Sequence, residues 1–150
     1  MRNQKNITIL LAEDEAVDHA LVAEALEDNC AECDLHWVKD GSDLTDYLFR
    51  RGRYSDPMRA PRPDLILLDL HMPRKSGLEA LQEIKAEPAL RHIPVVVFTS
   101  SRLDSEIMSS YQWGASSFVQ KPRTFDHLSE VINEMRKYWT GVVRLPPRDF

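Results

Sequence analysis

The sequence predicts an α/β fold of the doubly wound kind, (βα)5, a five-stranded parallel sheet with helices on both faces. Three observations carry that prediction. Short apolar runs alternate with segments of helical period along the whole 150 residues. The central runs are apolar at every position, as strands covered on both faces are. Strand and helix alternate strictly, which calls for parallel strands joined by right-handed crossovers.

The first strand is the run 7–12, Ile7-Thr8-Ile9-Leu10-Leu11-Ala12. A helix follows over 15–29, with Val17, Leu21 and Ala25 four apart on one face. Leu35-His36-Trp37-Val38 reads as the second strand and 40–51 as the second helix. Leu65-Ile66-Leu67-Leu68 is the third strand, and the helix after it runs over 77–87, where Pro88 helps to stop it. Val95-Val96-Val97-Phe98 forms the fourth strand, and Leu103, Ile107 and Tyr111 mark the fourth helix. The fifth strand covers 116–120. Phe125, Leu128, Ile132, Met135 and Trp139 mark the last helix, with Val131 and Tyr138 as surplus apolar residues beside that stripe. Two stretches exceed the minimal pattern. Residues 52–63 carry Gly, Ser and three prolines, a long loop before the third strand. Its Arg53, Arg59 and Arg62, after Arg50 and Arg51, read as a solvated loop rather than a basic docking surface. The tail with Leu145-Pro146-Pro147 is too short and proline-rich to be a domain. The expected organisation is one domain over 1–139 and a tail over 140–150, with no room for a DNA-binding output module.

Composition excludes several classes. With 43% hydrophobic residues, a chain of this length buries enough surface to fold without a staple. It has 19 basic and 24 acidic residues, a net charge of −5, which argues against a coat for nucleic acid or anionic membrane. No apolar run spans a bilayer, and Met1-Arg2-Asn3-Gln4-Lys5 leads straight into a strand-like segment, so a cytoplasmic protein is expected. The two cysteines, Cys30 and Cys33, follow a helix instead of opening one, where a reactive thiolate would be disfavoured. No second cysteine pair completes a zinc site, and the histidines are scattered. Structural thiols are expected there.

In an open parallel sheet, ligands bind beyond the C-terminal ends of the strands. Glu13 and Asp14 follow strand one, Asp69 follows strand three, Thr99 and Ser100 end strand four, and Lys121 and Pro122 follow strand five. Singly, an acidic pair at a helix start or a lysine at a surface is ordinary. Together, at adjacent strand ends, they place three carboxylates, a hydroxyl and an ammonium in one crevice. Two carboxylates about 4 Å apart repel by roughly 4 kcal/mol at an effective dielectric near 20, so three need a cation or a proton. Mg²⁺ takes one or two carboxylates, keeps waters and engages phosphate oxygens. One carboxylate then suits nucleophilic attack on phosphorus, with Lys121 and Thr99 placed for the phosphoryl oxygens.

These motifs resemble the receiver domains of two-component response regulators, a flavodoxin-like fold. The matching residues are Glu13-Asp14, Asp69 with Met72-Pro73 and Gly77, Thr99-Ser100 and Lys121-Pro122, over about 7–139. The resemblance implies that Asp69 accepts a phosphoryl group from a sensor histidine kinase. It implies Mg²⁺ held by Asp14 and Asp69 directly, by Glu13 through water and by the His71 backbone carbonyl. Thr99 would swing towards the phosphoryl oxygen and Lys121 would pair with it. Ser100, Phe118 and Pro122 would be switch elements, the Lys121–Pro122 bond would be cis, and His71 and Ser101 would tune dephosphorylation. Tyr is frequent in the family where Phe118 stands, so rotamer switching is expected here without a hydroxyl contact.

The long loop before strand three, the loop at 88–94 and the tail are similar to regulators paired with bacteriophytochromes. That group implies a red-light-sensing kinase as partner, and a homodimer through helix four, strand five, helix five and the C-terminal extension. The alternatives are a receiver serving another kinase or a phosphorelay, a haloacid-dehalogenase-like phosphatase and an unphosphorylated binding module. The phosphatase wants a second Asp two residues after the first, where His71 stands. A degenerate receiver would lack the acceptor or metal residues, and both sets are intact. A nucleotide-binding flavodoxin-like protein lacks its Gly-rich loop. The chain is expected to act as a phosphoacceptor regulator rather than an enzyme.

Overall fold

The computed structural model describes residues 6–148. Met1–Lys5 and the last two residues of the predicted tail lie outside them. Five strands form one parallel sheet: β1 (Ile7–Ala12), β2 (Cys33–Val38), β3 (Leu65–Leu68), β4 (Val95–Thr99) and β5 (Ser117–Gln120). Their spatial order is β2-β1-β3-β4-β5. The helices are α1 (Ala16–Asn29), α2 (Gly41–Leu48), α3 (Gly77–Ala86), α4 (Asp104–Gln112) and α5 (Phe125–Lys137), the last continued by a π-helical turn, Tyr138–Val142. The (βα)5 reading therefore holds. Among the described residues, no helix is long and apolar enough to cross a membrane.

The period-2 alternation of the strands divides the core in two. Leu10, Ala12, Ile66, Leu68, Val95 and Val97 face α2 and α3, with Leu44, Leu48, Leu81 and Ile84 opposite. Ile9, Leu11, Leu65, Leu67, Val96 and Phe98 face α1 and α5, meeting Val22, Leu26, Leu128 and Ile132. The strand order reverses direction between β1 and β3, so the crevice opens at their C-terminal ends.

Three expectations need correction. The buried face of α1 is Val22, Ala25 and Leu26, whereas Val17 is 68% exposed; the first turn of α1 lies beyond the sheet edge, beside the crevice. Of the two surplus residues beside the α5 stripe Tyr138 is exposed and Val131 is not, and most of the surplus apolar surface sits at α4. Val131 packs against the core, while Leu103, Met108 and Tyr111 stand exposed and only Ser110 of α4 is buried. Cys30 and Cys33 form a disulfide. The turn from α1 into β2 holds their Cα atoms 5.4 Å apart, inside the usual range of about 4.4–6.8 Å.

The arginine loop is largely spent on its own chain, as a solvated loop should be. Arg53 pairs with Asp43 at 3.0 Å, Arg51 with Asp46 at 3.3 Å, and Arg62 donates to the Leu48 carbonyl at 2.6 Å. In the tail, Arg148 donates to Asp64 at 2.9 Å, and Asp64 also accepts the Thr8 amide at 2.9 Å. The tail thus returns beneath the N-terminal ends of β1 and β3.

The third helix is set by local chemistry with a consequence for the crevice. Ser76 caps it, accepting from the Glu79 amide at 3.2 Å while the Glu79 carboxylate accepts the Ser76 amide at 3.2 Å. Gly77 then approaches so closely that a Cβ there would lie 2.1 Å from the Asp69 carbonyl oxygen and 2.8 Å from the Leu70 Cα. Both are backbone atoms and cannot swing aside. Gly77→Ala is expected to displace the end of β3 and cost about 1–3 kcal/mol, as overpacking does, which a urea melt will measure. Unchanged stability would mean that the helix shifts freely.

Candidate functional site

Backbone bonding brings the strand ends into register. The Asp69 amide donates to the Ala12 carbonyl at 3.1 Å, the Glu13 amide to Val38 at 3.0 Å, and the Lys121 amide to Thr99 at 2.8 Å. Carboxylate oxygens of Glu13, Asp14 and Asp69 consequently lie within 4.8 Å of one another, the one such acidic cluster among the described residues. Glu13 and Asp69 are buried and Asp14 stands at the rim. Lys121 enters from β5. Its Nζ donates to Asp69 at 3.1 Å, to Asp18 at 2.9 Å and to Glu13 in a short contact. The convergence predicted for Glu13, Asp14, Asp69 and Lys121 is present.

One ammonium pairs with three carboxylates and a fourth, Asp14, lies beside them, so negative charge is in excess. Burial pushes the Glu13 carboxyl up to about 7, the hydrogen bond from Lys121 opposes this, and the Asp69 charge adds to it. Burial alone would lower the Lys121 ammonium, but hydrogen bonding to Glu13 and the charge of Asp69 hold it above the ordinary lysine range. The two directions are compatible: the lysine stays charged, while the least hydrated carboxyl keeps a proton near neutrality. Three hard oxygen donors with a charge deficit fit a divalent cation.

Thr99 is buried at the end of β4, its Oγ1 accepting from the Ser101 amide at 3.4 Å, and Ser100 is exposed beside it. His71 projects outwards on the other side of Asp69, and its Nε2 lies 3.0 Å from Oε1 of Glu106 in the first turn of α4. Ser101 donates to that same oxygen in a short contact. Phe118 packs partly buried on the α2/α3 side of the core. A hydroxyl is present near it all the same, supplied by Tyr111 of α4, which accepts the Phe118 amide at 3.1 Å. The expected cis bond is corrected: the described residues contain no cis peptide, so Lys121–Pro122 is trans, the isomer favoured by about 0.5–1 kcal/mol before proline. Lys121 reaches the carboxylates from that geometry.

Sequence reasoning missed Asp18 and Glu106. Asp18 stands four residues after Asp14, one helical turn onward, a spacing that offered a clue. Glu106 offered none, because acidic residues in a first helical turn are common.

Residues 9–133 match the family model described as the response regulator receiver domain. Response regulator Rcp1 of Synechocystis sp. is 37% identical over 138 residues, 92% of each chain. Its Mn²⁺-bound crystal structure superposes with a TM-score of 0.86 at 36% identity, covering 94% of this chain and 99% of that one. The phosphorylated cyanobacterial phytochrome response regulator RcpA gives 0.89 at 35% identity, over 95% and 99%. The bacteriophytochrome response regulator RtBRR gives 0.74 at 36% identity, over 95% and 86%.

Proposed function

This chain belongs to the response regulator receiver domain family, and from that premise we propose that Asp69 is its phosphoacceptor, served by a bacteriophytochrome-type histidine kinase. The family is a signalling class rather than an enzymatic one, related here to phytochrome response regulators. The observation that carries the acceptor reading is the Lys121 ammonium 3.1 Å from Asp69, beside Glu13 and Asp14.

In this reading the Asp69 carboxylate attacks phosphorus, an O–P bond forms, and the P–N bond to the kinase imidazole breaks. Lys121 moves its hydrogen bond from the carboxylate to a phosphoryl oxygen, and Thr99 turns its hydroxyl to another. Mg²⁺ held by Asp14 and Asp69, by Glu13 through water and by the His71 carbonyl would neutralise phosphoryl oxygen charge. Any catalysis is confined to the chain's own phosphorylation and dephosphorylation. As Thr99 moves, Ser100 and the β4–α4 loop follow, and Phe118 repacks against Pro122 and α4. The domain at 1–139 works in the cytoplasm with its kinase. Phosphotransfer profiling tests the partner: faster labelling by a bacteriophytochrome kinase than by other histidine kinases supports it, and indifference to kinase identity rejects it.

Metal binding carries a pH signature. A cation requires Glu13 ionised, so its binding expels the proton that burial keeps there below about 7. Mg²⁺ affinity is expected to rise with pH through that value and to level off above it. Calorimetry in buffers of different ionisation heats will show proton release at pH 6 that vanishes by about pH 8.5; a pH-independent affinity would contradict this.

The same reading includes a homodimer through α4, β5, α5 and the C-terminal extension. Leu103, Met108, Tyr111 and Trp113 are 60%, 57%, 48% and 47% exposed along that face, and Tyr138 extends it. Apolar residues grouped like this suit an isologous contact. Sedimentation at micromolar concentration is expected to give twice the chain mass; a single-chain mass refutes the dimer.

A further inference from the structure

We propose that Glu106 is a positioning residue for hydrolysis of the aspartyl phosphate, fixing the His71 imidazole and the Ser101 hydroxyl at the mouth of the crevice. The inference rests on Asp69 being the acceptor and goes beyond it, because Glu106 belongs to none of the strand-end motifs. Its Oε1 receives both groups: His71 Nε2 at 3.0 Å and the Ser101 hydroxyl in a short contact. His71 lies two residues beyond Asp69 and Ser101 two beyond Thr99, so one carboxylate ties the two loops flanking the acceptor.

In a neutral ring, the Glu106 carboxylate selects which nitrogen carries hydrogen. An ionised carboxylate only accepts, so the nitrogen facing it must be N–H. In the neutral ring, Nδ1 is then bare and accepts a hydrogen bond. The His71 side chain is 64% exposed while that of Glu106 is 18% exposed, so the ring is open to water and the carboxylate that holds it is sheltered. Ser101 Oγ already accepts the Leu103 amide at 3.3 Å and gives its proton to Glu106. Nδ1 is thus an acceptor available to a water at the mouth.

Hydrolysis needs a water lined up with the phosphorus. Its oxygen forms a bond to phosphorus, the Asp69 Oδ–P bond breaks and returns the carboxylate, and the water's protons leave with inorganic phosphate and solvent. In a loose transition state this water needs orientation more than it needs a strong base. An imidazole held in one tautomer and one orientation supplies it; a freely rotating one supplies it only part of the time.

The test is the lifetime of the phosphorylated full chain. Protein labelled with acetyl phosphate and Mg²⁺ is freed of reagent and followed over time. Glu106→Ala and His71→Ala are each expected to slow loss of the phosphate roughly 2- to 10-fold, the worth of one orienting hydrogen bond. Glu106→Gln, which keeps an acceptor oxygen, is expected to fall between Glu106→Ala and wild type. In a His71→Ala background, Glu106→Ala is expected to add less than it costs in wild type, because only the Ser101 contact remains to be lost, whereas a carboxylate that merely stabilised α4 would have the same effect in both backgrounds. A lifetime indifferent to Glu106→Ala, or additive effects in the double variant, overturns the inference and leaves the acceptor reading standing. A wild-type chain that takes no label overturns both.

Discussion

Asp69→Asn is expected to take no label from acetyl phosphate and, without divalent cation, to unfold at higher urea than wild type. The first half follows from chemistry, because an amide offers no carboxylate to attack phosphorus. The second half follows from the charge count. Glu13, Asp18 and Asp69 share one ammonium, with Asp14 beside them, and two carboxylates about 4 Å apart repel by roughly 4 kcal/mol at an effective dielectric near 20. Asparagine removes one of the four while Lys121 keeps Glu13 and Asp18. The lost ion pair at 3.1 Å offsets part of the relief, leaving a net gain of about 1 kcal/mol, within the range of single substitutions. Mg²⁺ is expected to reverse the order, since it stabilises the state that binds it. Urea melts with and without Mg²⁺, beside a labelling assay, check both halves. Mg²⁺-dependent label on the variant would reject the acceptor assignment, and a variant less stable than wild type without metal would reject the charge argument.

The parts of this molecule that were legible in the sequence are those ruled by nearest neighbours. Leu65–Leu68 is apolar at every position because both of its faces are covered, and all four residues are buried. Glu13, Asp14, Asp69 and Lys121 were legible because apolar runs end abruptly at them and topology brings strand ends together. Features that depend on packing between distant elements were not. The α4 pattern Leu103, Ile107, Tyr111 has the period of a buried stripe, yet Leu103 and Tyr111 face outwards, since periodicity marks a face without saying what covers it. Glu106 became visible only when two loops far apart in sequence met at one carboxylate. The Cys30–Cys33 bond depended on how tightly the chain turns from α1 into β2, which spacing alone does not fix.

Lys121→Met is expected to lower the initial rate of labelling by roughly 10²-fold, the usual effect of removing a charged donor from a developing oxyanion. Methionine keeps most of the side-chain volume, so the change reports on charge. With Asp69 intact, some label still accumulates, which separates this variant from Asp69→Asn. Stability shifts the opposite way from Asp69→Asn. Glu13, Asp18 and Asp69 lose their common donor, and removing one partner of a buried ion pair costs about 3–5 kcal/mol when the remaining charge cannot relax. Here it can relax, because Glu13 already holds its proton up to about 7. The loss at pH 8 is therefore expected nearer 2 kcal/mol than that full cost. Its pH dependence has a definite sign. A carboxyl raised above its unfolded value of 4.5 contributes stability that is full below that value and is lost as pH rises through the folded value. Losing the ammonium raises the folded value further, so the deficit shrinks between pH 8 and pH 5.5. Urea melts at those two pH values decide the matter, and a deficit that grows on acidification would mean that Lys121 does not hold these carboxylates.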